Sequence, residues 1–123
     1  MTGTVKKFED LTSWQKAREL NKLIYSLTSQ GPSIKDFAFQ GQIRRAALSV
    51  MLNIAEGHGR QHTKEWLNHL SIARGSLKEL ETHLILAQRV ELMGEQMMES
   101  LLEISDRVGQ MMAALRAALK KKL

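Results

Sequence analysis

The chain has 123 residues, 43% of them apolar, a formal net charge of +5 and no cysteine. That length and apolar share suit a single domain, 1–123, built around one core, and exclude a second. A cysteine-free chain has neither a disulfide framework nor a thiolate metal site, and a modest positive charge favours anionic partners without naming one.

Helices are expected throughout. The only proline is Pro32, the intervening segments are rich in Ala, Leu, Glu, Lys, Arg, Gln and Met, and no segment alternates β-branched residues as a sheet would. Met1 to Asp10 lacks the apolar stretch of a signal peptide, and no run approaches the roughly 20 apolar residues of a membrane span. The chain is therefore expected in the cytoplasm and away from the membrane.

The first helix is expected over 12–28, opened by a capping box between Thr12 and Gln15, with Trp14, Ala17, Leu20, Ile24 and Leu27 along one face. Gly31 and Pro32 break the chain before a second helix at about 36–56, which Gly57 is expected to close in the left-handed conformation. Thr63 is the natural cap of a third helix, 63–92, whose stripe reads Trp66, Leu70, Ala73, Leu77, Leu80, Leu84 and Ala87. The fourth, 95–120, carries a heptad seam of Met97, Leu101, Ile104, Val108, Met111, Leu115 and Ala118. Short connections make this an all-α, antiparallel up-down-up-down four-helix bundle. An intermolecular coiled coil is the weaker alternative for the last seam.

The second helix has more apolar surface than one solvated stripe requires. Ile43, Ala47, Val50 and Ile54 form one row, and Leu48, Leu52 and Ala55 a second. Either a central position in the bundle or a neighbouring subunit must cover the second row. Beside these rows run Gln42, Arg45, Ser49, Asn53 and Glu56, at steps of three and four. They make either a ligand or RNA-contact stripe or a buried polar network at a helix or subunit interface, with Ser76 and Glu79 of the third helix as partners. The network is preferred, because a buried polar group left unmatched costs roughly 1–3 kcal/mol. Gly75 in a helix interior is expected to admit a close backbone.

The segments Gln42-Ile43-Arg44-Arg45-Ala46-Ala47, Ser49, Asn53-Ile54-Ala55-Glu56-Gly57, Ala73-Arg74-Gly75-Ser76-Leu77 and Glu79-Leu80-Glu81 closely resemble the bacterial four helix bundle protein family. Many of its members are encoded by intervening sequences of large-subunit ribosomal RNA genes. The resemblance spans roughly Phe8 to Ala118 without an obvious insertion. It implies a ring-like homopentamer, a basic surface proposed to contact nucleic acid, and no enzymatic activity. A distant relative, the accessory protein of diversity-generating retroelements, partners a reverse transcriptase. The chain departs from the family pattern at Gly31, His58 and His69, where aromatics are usual, at Lys35, where an acidic residue is usual, and at Met51, which replaces a proline.

Other constellations have bland readings that outweigh the sharp ones. His62, Glu65 and His69 have the spacing of a metal site on one helical face, but no fourth ligand is indicated and capping and surface placement explain them equally. Glu56 beside His58 lacks a nucleophile or oxyanion donor. The loop Gly57-His58-Gly59-Arg60 suits a phosphate at a helix N-terminus but matches no nucleotide fingerprint, and its default is a tight turn. Met97, Met98, Met111 and Met112 are read as core before adaptable surface. No catalytic residue, cofactor or metal is expected.

Charge is polarised along the chain: residues 79–106 carry −6, and residues 107–123 carry +5. With antiparallel helices, Lys6, Lys7, Arg60, Lys64, Arg116, Lys120, Lys121 and Lys122 gather at one end, and Glu91, Glu95 and Glu99 at the other. The lysine tail reads equally as a nucleic-acid contact and as a complement to the helix dipole. The expected function is a non-enzymatic oligomer that contacts RNA or DNA backbone through the basic end. The alternative is an accessory scaffold for a larger nucleic-acid enzyme such as a reverse transcriptase.

Overall fold

A computed structural model describes residues 7–123; Lys6 lies outside them. Four helices account for most of the described chain: α1 Thr12–Thr28, α2 Phe37–His58, α3 Thr63–Arg89 and α4 Glu95–Lys120. Short 3-10 turns at Phe8–Asp10 and Gly31–Lys35 precede α1 and α2, and no strand occurs among the described residues.

The bounds of α1 and α4 are those expected, but several helix ends are capped differently from the sequence expectation. Leu11, not Thr12, caps α1, and no capping box forms. The preceding 3-10 turn delivers Leu11 into the core, and the Gln15 amide donates instead to the Glu9 carbonyl at 2.8 Å. Burial of a leucine outweighs a side-chain cap here. Asp36 caps α2 by accepting from the Phe39 N–H at 3.0 Å. Gly57 does not close that helix; it is buried inside the last turn, and α2 continues to His58. His62 rather than Thr63 occupies the cap position of α3, without a side-chain bond.

The other end of α3 stops at Arg89 rather than near Leu92. Glu91 adopts the left-handed region, φ 64°, while the Leu92 N–H donates to the Ala87 carbonyl at 2.8 Å and the Glu91 N–H to the Gln88 carbonyl at 3.1 Å. These two bonds form a Schellman closure, with a glutamate at the position that usually holds glycine. Gly94 then serves as the N-cap of α4.

Side-chain contacts show α2–α3 and α3–α4 running antiparallel. Between α2 and α3, Ser49 meets Ser76, Asn53 meets His69, and Gly57 abuts Trp66. Between α3 and α4, Ser71 meets Arg116, and Glu81 meets Ser105. Arg44 of α2 reaches back to Thr28 at the end of α1. Helix α1 also packs on α4, which closes the bundle, while among the described residues no Cα atoms of the diagonal pairs α1–α3 and α2–α4 come within 8 Å of each other.

The core stripe of α3 is buried at all seven expected positions, Trp66 to Ala87. In α4 the seam is turned toward one flank: Leu101, Ser105, Val108, Met112, Leu115 and Leu119 are buried, whereas Ile104, Met111 and Ala118 are half-buried and Met97 is exposed. Helix α4 is wedged between two neighbours, so both flanks are covered. Met111 lies in the groove beside Lys16 and Leu23 of α1, and Met112 beside Leu70 and Arg74 of α3. Ser105 tolerates full burial because its hydroxyl donates to Glu81 Oε2 at 2.8 Å.

Candidate functional site

The polar row of α2 divides into two groups. Ser49 Oγ and Ser76 Oγ lie 2.7 Å apart, and the Asn53 amide donates to the Ser49 carbonyl at 2.9 Å and to its hydroxyl at 3.2 Å. Asn53 Oδ1 in turn lies 3.0 Å from His69 Nδ1. An amide oxygen only accepts, so with this amide orientation His69 carries its proton on Nδ1. All four residues are half-buried, so the network lines the rim of the α2–α3 seam rather than its centre.

The remaining members of the expected network take no part in it. Gln42 and Arg45 are exposed, Glu56 pairs with Arg60 at 3.2 Å, and Glu79 faces His83 at 3.8 Å. The arginine that binds within the chain is the adjacent Arg44. Its guanidinium donates to Thr28 Oγ1 and Ser29 Oγ, both at 2.9 Å, and stacks 4.7 Å from the Tyr25 ring centroid. One residue is a rotation of 100° on a helix, which sends Arg44 toward α1 and Arg45 outward.

The second apolar row of α2 is not covered within the chain. Leu52 is 51% exposed and Phe37, on the same face, is 79% exposed, with Leu48 and Ala55 half-buried beside them. Exposed Ile72, Leu86 and Val90 continue the apolar surface along the outer side of α3. Gly75 and Gly41 on these helices have nothing within 4 Å of where a Cβ would stand, so no backbone of this chain approaches them closely. The close approach occurs at Gly57, against the Trp66 indole.

At one end of the bundle, a depression is lined by Arg60, His62 and Trp66 from the α2–α3 connection and α3, by Leu119 of α4 and by Lys122 just beyond it. The chain thereby brings two of the expected basic groups together. Lys64, Lys120, Lys121 and Lys122 are exposed and none has an ion-pair partner among the described residues; Lys7 is exposed where the turn into α1 begins. Two expected members are diverted: Arg60 is held by Glu56, and Arg116 is half-buried, its guanidinium donating to Ser71 Oγ at 3.1 Å. Arg116 thus braces α4 on α3 instead of joining the end cluster. His62 and Glu65 are exposed while His69 is turned into the Asn53 network, and no group of three or more His, Asp or Glu able to hold a metal occurs among the described residues. No described helix is long and apolar enough to cross a membrane.

The family model of the 23S rRNA-intervening sequence protein matches residues 9–114. The chain belongs to that family. A crystal structure from Bacteroides thetaiotaomicron, described as a protein of unknown function from the S23 ribosomal protein family, matches with a TM-score of 0.78 and 25% identity, over 85% of this chain and 98% of its own. No curated protein matches the chain. Within the 23S rRNA-intervening sequence protein match lie the whole α2–α3 seam and all of α4 up to Ala114; the tail Lys120–Lys122 falls outside it.

Proposed function

We propose that this 23S rRNA-intervening sequence protein is a non-enzymatic, closed homo-oligomer that binds RNA or DNA backbone in the cytoplasm through its basic end. The observation that carries this reading is that Arg60 and Lys122 line one depression, with exposed Lys64 next in sequence to its lining residue Thr63 and exposed Lys120 and Lys121 directly preceding Lys122; none of these four lysines has an ion-pair partner among the described residues. Five subunits is the number implied by the family resemblance. The uncovered apolar surface of α2 and α3 supports a lateral interface, with the Ser49–Asn53–His69–Ser76 network at its edge and Arg45 facing the neighbour. In a cyclic ring with aligned subunits, symmetry joins each basic end into a continuous rim. Phosphates meeting such a rim release counterions, so affinity falls with salt and shows little sequence preference.

The test replaces Lys120, Lys121 and Lys122 by glutamine, and separately Arg60 and Lys64, and follows affinity for a single-stranded and a duplex oligonucleotide across a salt series. Both variants should bind more weakly and with a shallower salt slope. Wild-type affinity and slope in both would remove the basic end from the reading. The accessory-scaffold alternative, in which the oligomer recruits a larger nucleic-acid enzyme, predicts nucleic-acid binding only when that protein is present.

A further inference from the structure

The end of the bundle opposite the lysines holds a depression of about 500 Å³, where the α1–α2 and α3–α4 connections meet. Leu27, Leu92, Met93 and Met97 give it an apolar lining, and Glu91 and Glu95 stand in its wall. Glu99 follows one turn along α4. None of these three glutamates has an ion-pair partner among the described residues, and between 90 and 106 no basic residue occurs. The cations flanking this stretch in sequence, Arg89 and Arg107, are exposed, as is Lys35 in the α1–α2 connection.

The other end of the same chain has the complementary composition. Lys120, Lys121 and Lys122 are exposed and have no ion-pair partner among the described residues, and Leu123 beside them is 67% exposed. An apolar residue next to three lysines matches an apolar depression walled by glutamates in both charge and polarity. We propose that the acidic end is a docking site for a second copy of this chain, which inserts its Lys120–Leu123 segment between Glu91 and Glu95. The contact is heterologous, head to tail along the bundle axis, and therefore open-ended. It is distinct from the lateral face of α2 and α3, and rests on charge where that face rests on apolar area. Opposite charges at an exposed rim are screened within about 8 Å at physiological ionic strength, so the association belongs to low salt.

Sedimentation velocity of the full chain separates the two contacts. In 0.5 M salt only the lateral assembly, whatever its size, should remain; at 20 mM salt the sedimentation coefficient should rise with protein concentration. Glu91→Lys with Glu95→Lys should abolish that rise, as should Lys120→Glu with Lys121→Glu and Lys122→Glu, each variant keeping wild-type helicity by circular dichroism. Reversing exposed charges of this kind should weaken the contact roughly tenfold or more. Mixing the two variants should restore association, because the intact lysine segment of one meets the intact glutamates of the other and the two reversed ends are again opposite in charge. A low-salt rise that survives in either variant, the absence of any rise in the wild type, or a mixture that stays dissociated overturns the proposal. A failed lateral assembly would show instead as a monomer in 0.5 M salt, and leaves this outcome separately readable.

Discussion

Replacing Gly57 by alanine tests whether the α2–α3 seam is built on a missing side chain. In an ordinary helix interior Gly→Ala gains about 1 kcal/mol, because the backbone loses less freedom on folding. At Gly57 a Cβ would overlap Trp66 Cδ1 and stand 3.0 Å from Trp66 Nε1 and 3.1 Å from His69 Cβ. The indole is buried between two helices, so relief requires α3 to move or Trp66 to leave its rotamer, and overpacking of this kind costs about 1–3 kcal/mol. The net expectation is a loss of up to about 2 kcal/mol at Gly57. Gly75→Ala is the internal control: it lies mid-helix in α3 with nothing within 4 Å, and should gain up to about 1 kcal/mol. Taking about 2.1 cal/mol/K per residue for the unfolding entropy, 1 kcal/mol corresponds to about 4 °C in Tm for a chain of this size. The two variants should therefore separate by roughly 4–12 °C in thermal melts followed by circular dichroism at one protein concentration. Gly57→Ala melting at or above Gly75→Ala would refute the packing argument.

Three further outcomes follow from the local geometry. Glu91→Gly should raise stability by about 1 kcal/mol, read in a urea titration, because glycine enters the left-handed region without the penalty that Glu91 carries at φ 64°. Ser105→Ala should destabilise by about 1–2 kcal/mol in the same titration, since it removes a hydrogen bond to a carboxylate and leaves Glu81 Oε2 in a half-buried position without that donor. Arg44→Met should cost about 1–2 kcal/mol and loosen the end of α1, visible as faster amide exchange near Thr28, whereas Arg45→Met should leave the monomer unchanged.

The helices were legible because their periodicity is strong, but their ends were legible only where residue type and geometry agree. Helix α3 has a large apolar residue or alanine at every inward step and polar neighbours at most others, so one face is possible. Helix α4 is apolar on both sides of Leu101, Val108 and Leu115, and a sequence cannot tell which flank a neighbour covers; the burial of Ser105 carries no local signal because its partner Glu81 is 24 residues away. The reversal at Glu91 carries no signal, since a glutamate stands where glycine is usual. Of the polar row, Ser49 and Asn53 were visible from spacing, and Ser76 as a partner on the third helix. His69 was read for metal spacing because its bond to Asn53 spans two helices, and Arg44 was masked by its twin at Arg45.

The molecule presents different chemistry in different directions, and this anisotropy orders what it can do. Around its girth, the α2–α3 side exposes Phe37, Leu52, Ile72, Leu86 and Val90, while the outer positions of α1 and α4 are mostly charged, polar or alanine. Along its length, lysines stand at one end and glutamates at the other. Apolar contacts between copies are nearly indifferent to salt, because they depend on area removed from water, whereas contacts between exposed charges fade as the Debye length shrinks. Lateral assembly should then persist at ionic strengths that abolish both end-to-end docking and phosphate binding. Within the low-salt regime the two proposed contacts should compete for the same lysines. A polyanion occupying Lys120–Lys122 leaves the glutamate-walled depression of the next copy without its partner, so nucleic acid should shorten end-to-end stacks while leaving the lateral assembly intact. A single titration with a short oligonucleotide at 20 mM salt, read by sedimentation, therefore separates the three contacts. If the oligonucleotide binds and the stacks persist, the lysine segment serves only one of the two roles assigned to it.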